Sequence, residues 1–524
     1  MSGTASRRRF LQVTGGAALA AALAACSSDD KGNGRAADET SGQSGEKSGG
    51  TLAVASFLGG ATESPDPLST VYSSAMIMCL YDRLTSLTDS SGPKPELATS
   101  WSSDDLKTWT FKLRKGVKFH NGAELTAKDV IATFERILDP KAPGSAKTTW
   151  GPLIEPGSVV QGEDEYTVVF KLKAGAWDLP YLVSHTYTSI VPAGMTTDHI
   201  KAAPIGTGAY KYKSFKAGEK FTGDRNAGYW RENYPKPDEI VITNVDTTDQ
   251  RLNGLRSKQF NIALNLDPVT TQPVLNSDDI VVHRTQTGAF TQLNMLCSGP
   301  LADSRVRQAM KLVVDREQIR QSLLRGWGIV AQDHPIAPDS PVFPKLPAIS
   351  ADIEQAKKLL AEAGHPNGLT IQLHMRQGTQ GGNLAQLYQA QAAKAGITIK
   401  LVPEPGATMV QGILSQKFQM HAGQYGARPG VALIDVIYGK FGDLGKSYAL
   451  WSNPKFDTLA PQARGEVDET KRKELYNELA ELLAADGNLI VCCFEESVHV
   501  TQGVTGFQKT TMEAQPLWNV ALSA

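Results

Sequence analysis

The sequence predicts an α/β protein of more than one domain, and three observations carry that expectation. The chain has 524 residues, well past the size at which a single hydrophobic core stops growing. Runs of period-2 and period-3.6 hydrophobicity alternate throughout the body from residue 51 onward. Residues 369–402 read as strand, helix, strand: LTIQLHM at 369–375 and ITIKLV at 397–402 flank an Ala/Gln-rich run at 383–395 that Gly396 closes. A helix between two such strands is a crossover joining parallel strands, so at least one lobe holds a parallel sheet.

In chain order, Arg7, Arg8 and Arg9 come first, followed by a mildly apolar run at 11–25 that ends in LAAC at 23–26. The run is too short and too small-sided to span a membrane as a permanent helix. SRRRFLQ at 6–12 resembles a twin-arginine export signal, and LAAC resembles a bacterial lipobox. The resemblance implies export of the folded protein with Arg7 and Arg8 as the signal, cleavage before Cys26, and lipid on Cys26. Residues 27–50 contain no aromatic residue, Leu, Ile or Val. They cannot bury enough surface to offset their chain entropy, so 26–50 reads as a flexible tether.

In the body, Trp109, Phe111 and Leu113 alternate as in a half-buried strand, and so do Val168, Phe170 and Leu172. Thr126 followed by Asp129 imitates a capping box; Val130, Phe134 and Ile137 continue at helical spacing, and Pro140 ends the run. Val306, Met310, Val313, Ile319 and Leu323 give a helical run over 304–325 with Gly326 as its stop. Ile353, Ala356, Leu360 and Ala363 share one helix face, with Gly364 as the C-terminal cap. There is no internal repeat.

Composition excludes several classes. With 41% hydrophobic and 20% charged residues the chain is globular rather than disordered or fibrous. The 53 basic and 54 acidic residues nearly cancel, and without 1–25 the balance is 50 against 54. A nucleic-acid binder of this size would carry a basic excess, so nucleic acid is not expected as a partner. The five cysteines fit no zinc spacing. Cys79, Cys297, Cys492 and Cys493 would lie outside the cell, where a disulfide is permitted. Adjacent Cys492 and Cys493 follow the strand-like Leu489, Ile490 and Val491, and buried core thiols are the preferred reading. Enzyme motifs fail: there is no HExxH and no GxSxG, and the nine histidines are scattered. Gly445, Lys446 and Ser447 imitate the end of a phosphate loop, but its earlier glycine would fall on Lys440.

Further motifs run over nearly the whole body: ELATSW at 96–101, DDLKTWTFKLRKGVKFHNG at 104–122, LTAKDV at 125–130, PIGTGAY at 204–210, NAGYW at 226–230, DSRVRQA at 303–309 and AKKLLAEAG at 356–364. Together they resemble the bacterial extracytoplasmic solute-binding proteins of the peptide/nickel (family 5) class of ABC importers. The resemblance implies a periplasmic-binding-protein-like (type II) α/β fold, with two main lobes, an inserted domain and a ligand cleft between lobes. The expected parts are lobe I from 51–91, 204–284 and 495–524, the inserted domain at 92–203 and lobe III at 285–494. It implies a monomeric receptor without cofactor, anchored through Cys26 to the outer face of the cytoplasmic membrane or held in the periplasm. Hinge closure on a small-molecule or peptide-like solute would deliver it to the permease subunits of an ABC importer. A nickel or other metal–chelate binder is the alternative within the class. An exported enzyme or a sensor on the same scaffold is the alternative outside it.

Peptide-binding members line the cleft with a GWxxDxxDP segment whose first Asp holds the peptide's amino group. Here the matching stretch is GQYGARPG at 423–430, with Gln424 or Tyr425 at the Trp position and Ala427 at the Asp position. A buried ammonium without a carboxylate is costly. Ala427 offers none, and Arg428 suits a carboxylate or phosphate instead. A small polar or anionic organic solute, or a modified peptide, is therefore expected. Arg376 is the second candidate, because it follows the strand 369–375, where open α/β sheets bind ligands. Glu63 and Asp66 match an early family loop facing the cleft, and Tyr72 and Trp150 are candidates for stacking on the ligand. No metal ligands are assigned.

Overall fold

A computed structural model describes residues 45–69, 72–88, 92–142, 146–439, 447–512 and 515–524. The expected signal with Arg7 and Arg8, the lipid site Cys26 and the tether up to residue 44 lie outside the described residues, as do Lys440, Gly445 and Lys446.

A path of ten strands organises the body. Its order is Ile397–Pro403, Leu369–Met375, Met420–Tyr425, Val281–Met295, Leu489–Thr501, Ile262–Ala263, Thr51–Ser56, Glu239–Asn244, Lys220–Arg225 and Tyr210–Lys216. The two long central strands pair antiparallel with each other. One end of that pair continues into Met420–Tyr425, the other into Ile262–Ala263. Their ladder shifts register between Gln286 and Phe290 and again between Thr291 and Gln292. Such bulges bend strands, here where the two halves of the path meet.

The βαβ unit is present. Leu369–Met375 and Ile397–Pro403 pair in parallel, with Leu369 opposite Ile397. The helix between them starts at Gln380, earlier than its apolar pattern indicates, because Thr379 Oγ1 accepts the Gly382 N–H at 3.2 Å. The run 304–325 divides into Ser304–Leu312 and Arg316–Leu324. The Asp315 carboxylate caps the second helix by accepting the Gln318 N–H at 2.9 Å. Periodicity alone does not reveal that break.

Residues 92–203 contain a separate four-stranded antiparallel sheet, ordered Ala98–Ser102, Thr108–Leu113, Thr167–Lys171, Val159–Gln161. The helix Ala127–Leu138 begins where Asp129 accepts the Thr126 N–H at 2.9 Å, and Phe134 packs edge-on against Trp150 and Phe170. This sheet is fastened to the C-terminal part of the chain by a buried latch. Arg464 donates to both oxygens of Asp178 at 2.7 and 2.8 Å and also to Asp435. Gly430 (φ +61°) lies so close that a β-carbon there would meet Asp178 Cβ at 3.1 Å.

Gly45–Ala524 form one compact unit. Glu46–Lys47 pairs antiparallel with Ala521–Ser523. Backbone pairing makes no demand on apolar side chains, so composition could not reveal it. Cys79, Cys492 and Cys493 are buried free thiols, and burial pushes the Cys492 thiol up to about 12.

Candidate ligand-binding site

Met420–Tyr425 lies antiparallel to Val281–Met295 and parallel to Leu369–Met375. Residues 426–430 therefore leave the sheet at the carboxyl end of a strand, where open α/β sheets carry their ligands. Arg428 projects from this loop to a point where two cavities meet. The first, about 300 Å³, is lined by residues from five stretches of chain, among them Arg83, Glu96, Arg231, Arg428 and Trp518. The second, about 330 Å³, is lined by Trp150, Leu182, Leu414, Tyr425, Ala432 and Val436, among others. His185, Tyr187 and Arg428 line both.

The first cavity is basic. Arg83, Lys94, Arg231 and Arg428 line it, and Glu96 is the one carboxylate among its described lining residues. Glu96 is already engaged: Arg83 Nη2 lies 2.9 Å from Oε1, the Arg83 N–H donates to Oε2 at 3.2 Å, and Arg231 approaches to 3.9 Å. Burial raises the Glu96 carboxyl to about 7, against the opposing pull of Arg83. Arg231 lies between the rings of Trp230 and Trp518, 4.1 and 4.3 Å from their centroids.

Arg428 donates from Nη1 to His185 Nε2 at 2.7 Å and, more distantly, to Tyr187 Oη at 3.5 Å. Burial and the nearby Arg428 and Arg83 cations hold His185 well below its ordinary range, so the imidazole is neutral. Among the described residues Arg428 has no carboxylate partner, and its charge is left uncompensated where both cavities open.

The second cavity is mainly apolar, with Arg428, His185, Tyr187 and Thr149 in its lining and a hydrogen-bonded chain at one edge. There Asn488 donates to Asn294 Oδ1 at 2.9 Å, Asn294 donates to Tyr448 Oη at 2.6 Å, and the Tyr448 and Tyr425 hydroxyls lie 2.6 Å apart. Two hydroxyls carry two protons and use one between them. Whichever donates, one O–H is left to point toward an acceptor in the cavity that both tyrosines line.

Of the residues singled out from sequence, Arg428, Tyr425 and Trp150 come together around this second cavity. Arg376, Gln424, Glu63 and Tyr72 line neither cavity. Arg376 is exposed, with its guanidinium carbon 3.6 Å from where a β-carbon on Gly406 would sit. Gln424 precedes Tyr425 on a strand, so it faces the other way and donates to Glu495 Oε2 at 2.6 Å. Glu63 is buried and accepts the Tyr72 and Ser73 N–H groups, both at 3.1 Å, before the helix Ser74–Leu80. Tyr72 is 48% exposed and packs edge-on against Phe57. Asp66 is fully buried in an ion pair with Arg136. Sequence reading missed Arg83, Glu96, His185, Tyr187 and Arg231. Glu96 stood in a motif read as scaffold, and the others carry no local pattern.

A family model for bacterial extracellular solute-binding proteins, family 5 (middle), matches residues 92–475, most of the chain. The chain belongs to family 5 of the bacterial extracellular solute-binding proteins. Di/tripeptide-binding protein 1 of Pseudomonas aeruginosa (strain UCBPP-PA14) is 27% identical over 439 residues, covering 77% of this chain and 81% of its own. Among solved structures, the periplasmic binding protein DppA of Helicobacter pylori in complex with the peptide STSA superposes with a TM-score of 0.79 at 22% identity, over 91% of this chain and 99% of that one. AgaA of A. tumefaciens R10 in complex with agropinic acid gives 0.78 at 24% identity over the same shares. As a family 5 protein the chain is an extracytoplasmic solute-binding receptor of the peptide/nickel ABC-importer class, a binding protein rather than an enzyme. The two-lobed α/β architecture of that family is its fold. Among the described residues no helix is long and apolar enough to cross a membrane, and no group of three or more His, Cys, Asp and Glu could hold a metal ion.

Proposed function

We propose that this family 5 receptor captures an anionic organic solute or an amine-blocked peptide, with Arg428 gripping the anion, and hands it to an ABC importer. The observation that carries this reading is an arginine with no carboxylate partner among the described residues, set where two cavities join and next to Ala427. A guanidinium suits a carboxylate through two parallel hydrogen bonds, and the spare tyrosine O–H at the Tyr425–Tyr448 pair adds a third donor. A free ammonium finds no open carboxylate, because Glu96 is held by Arg83. The fold has been solved with a peptide and with agropinic acid, so the fold does not choose the ligand; the charge of the cavity does.

A thermal-shift screen of carboxylates, amine-blocked peptides and free-amine peptides tests the proposal. A ligand at about 100 times its dissociation constant adds roughly 2.7 kcal/mol of stability. Anionic and amine-blocked compounds should give the largest shifts; largest shifts from free-amine di- and tripeptides would reject it. Tyr425→Phe removes one donor of the pair without removing the ring that packs on Phe290. It should weaken such ligands by roughly 3- to 10-fold, in keeping with about 1 kcal/mol for one hydrogen bond, while the melting temperature of the free protein stays put. An unchanged affinity would remove Tyr425 from the site.

We further propose that the receptor is a monomer exported by the twin-arginine route and held to the membrane by lipid on Cys26. In this reading lobe I (51–91, 204–284 and 495–524) closes against lobe III (285–494), with 92–203 as the inserted domain. Changing Arg7 and Arg8 to Lys should stop export, and Cys26→Ser should free the protein from the membrane fraction. Normal export of the first variant, or unchanged membrane retention of the second, would reject the corresponding step.

A further inference from the structure

We infer that the ligand carries one apolar arm, an aryl or medium-length acyl group, which fills the second cavity while its carboxylate meets Arg428. The inference rests on the anion reading above and narrows it to amphipathic carboxylates.

The two cavities differ in character although they share Arg428. In the first, four cationic side chains and one carboxylate face the space. In the second, Arg428 is the one charged side chain among the described lining residues, and aliphatic residues, Pro429 and Trp150 make up more than half of the rest. At about 330 Å³ it has the size of small-molecule sites, which are mostly apolar with a few placed polar groups. Its polar lining includes the Arg428 guanidinium and the Tyr425–Tyr448 hydroxyl pair, donors of the kind an anionic head requires.

A second observation comes from the helix Gly406–Leu414. Val410 and Leu414 are four residues apart, hence on one face, and are 55% and 51% exposed. Leu414 lines the cavity. A large apolar side chain left half in solvent beside an apolar cavity gains when an apolar ligand group displaces the water there. A sugar or a short hydroxy acid would leave these walls wet.

A titration of the full-length protein with N-acylglycines from acetyl to decanoyl tests this, because each carries a carboxylate and no free amine. The dissociation constant should fall about three- to fourfold per added methylene, the usual increment for burying one such group, until the cavity is full. Alkylamines of matching length should not bind. Val436→Phe, at a half-buried lining position, should weaken the long-chain members at least 10-fold more than it weakens acetylglycine. Leu414→Asn, which removes apolar surface without adding charge at a half-exposed position, should do the same. Arg428-dependent binding of short anions with no gain from chain length would overturn the apolar arm and leave the anion reading standing. Failure of every member to bind, or binding that Arg428→Ala leaves untouched, would overturn both.

Discussion

Arg428→Ala is expected to weaken solute binding by roughly 30-fold or more, while the free protein keeps its fold. The estimate follows from truncating one partner of a desolvated charge pair, which costs about 2–5 kcal/mol, at about 1.4 kcal/mol per tenfold in affinity. Arg428 reaches out of a loop, is half-buried, and among the described residues its side chain hydrogen-bonds only to His185 and Tyr187. Its loss therefore removes no ion pair from the free protein. Arg428→Lys should recover part of the affinity and no more, because an ammonium keeps the charge but lacks the planar fork. Isothermal titration with a solute identified in the thermal-shift screen decides the matter. Equal affinity in wild type and Arg428→Ala would show that the anion is held elsewhere.

The largest effect on stability should come from Arg464→Leu. Arg464 is 9% exposed and bridges Asp178, which is fully buried, and Asp435. Removing one partner of a buried ion pair costs about 3–5 kcal/mol, because the remaining charge stays desolvated. Here two carboxylates would be left facing each other. Burial already raises Asp435, with the Arg464 cation opposing that rise and the Asp178 charge adding to it. Without Arg464 the Asp435 carboxyl should titrate further above the unfolded value of about 3.9. The folded variant then binds more protons than the unfolded chain, and its stability falls as pH rises through that window. Urea denaturation should show a small deficit against wild type near pH 4 and the full deficit near pH 8. A deficit independent of pH would mean that lost packing rather than stranded charge sets the cost. Because Gly430 packs on Asp178, the same variant should loosen the loop that carries Arg428 and speed amide exchange there.

These expectations mark the division between what was legible in the chain and what was not. Sequence alone determined the α/β class, the βαβ unit at 369–403, the helix that Thr126 and Asp129 open, and the family motifs between 96 and 364. Each is set by a spacing of a few residues, so each survives without knowledge of distant contacts. The same local reasoning brought out Arg428 and Tyr425, because a missing carboxylate at Ala427 can be seen in a single stretch of chain. Tertiary structure decided the rest. Alternation along Met420–Tyr425, seen only once the strand is paired, sends Gln424 to Glu495 and Tyr425 to the cavity. Glu63 became a backbone acceptor and Asp66 an ion-pair partner because the fold brings Ser73 and Arg136 to them. The basic cavity around Arg428 draws on Arg83, Arg231 and His185, far apart in sequence and joined by no periodic pattern. A cavity made of such residues is a property of packing, since the charge at one point sums groups that only the folded chain brings within reach of one another.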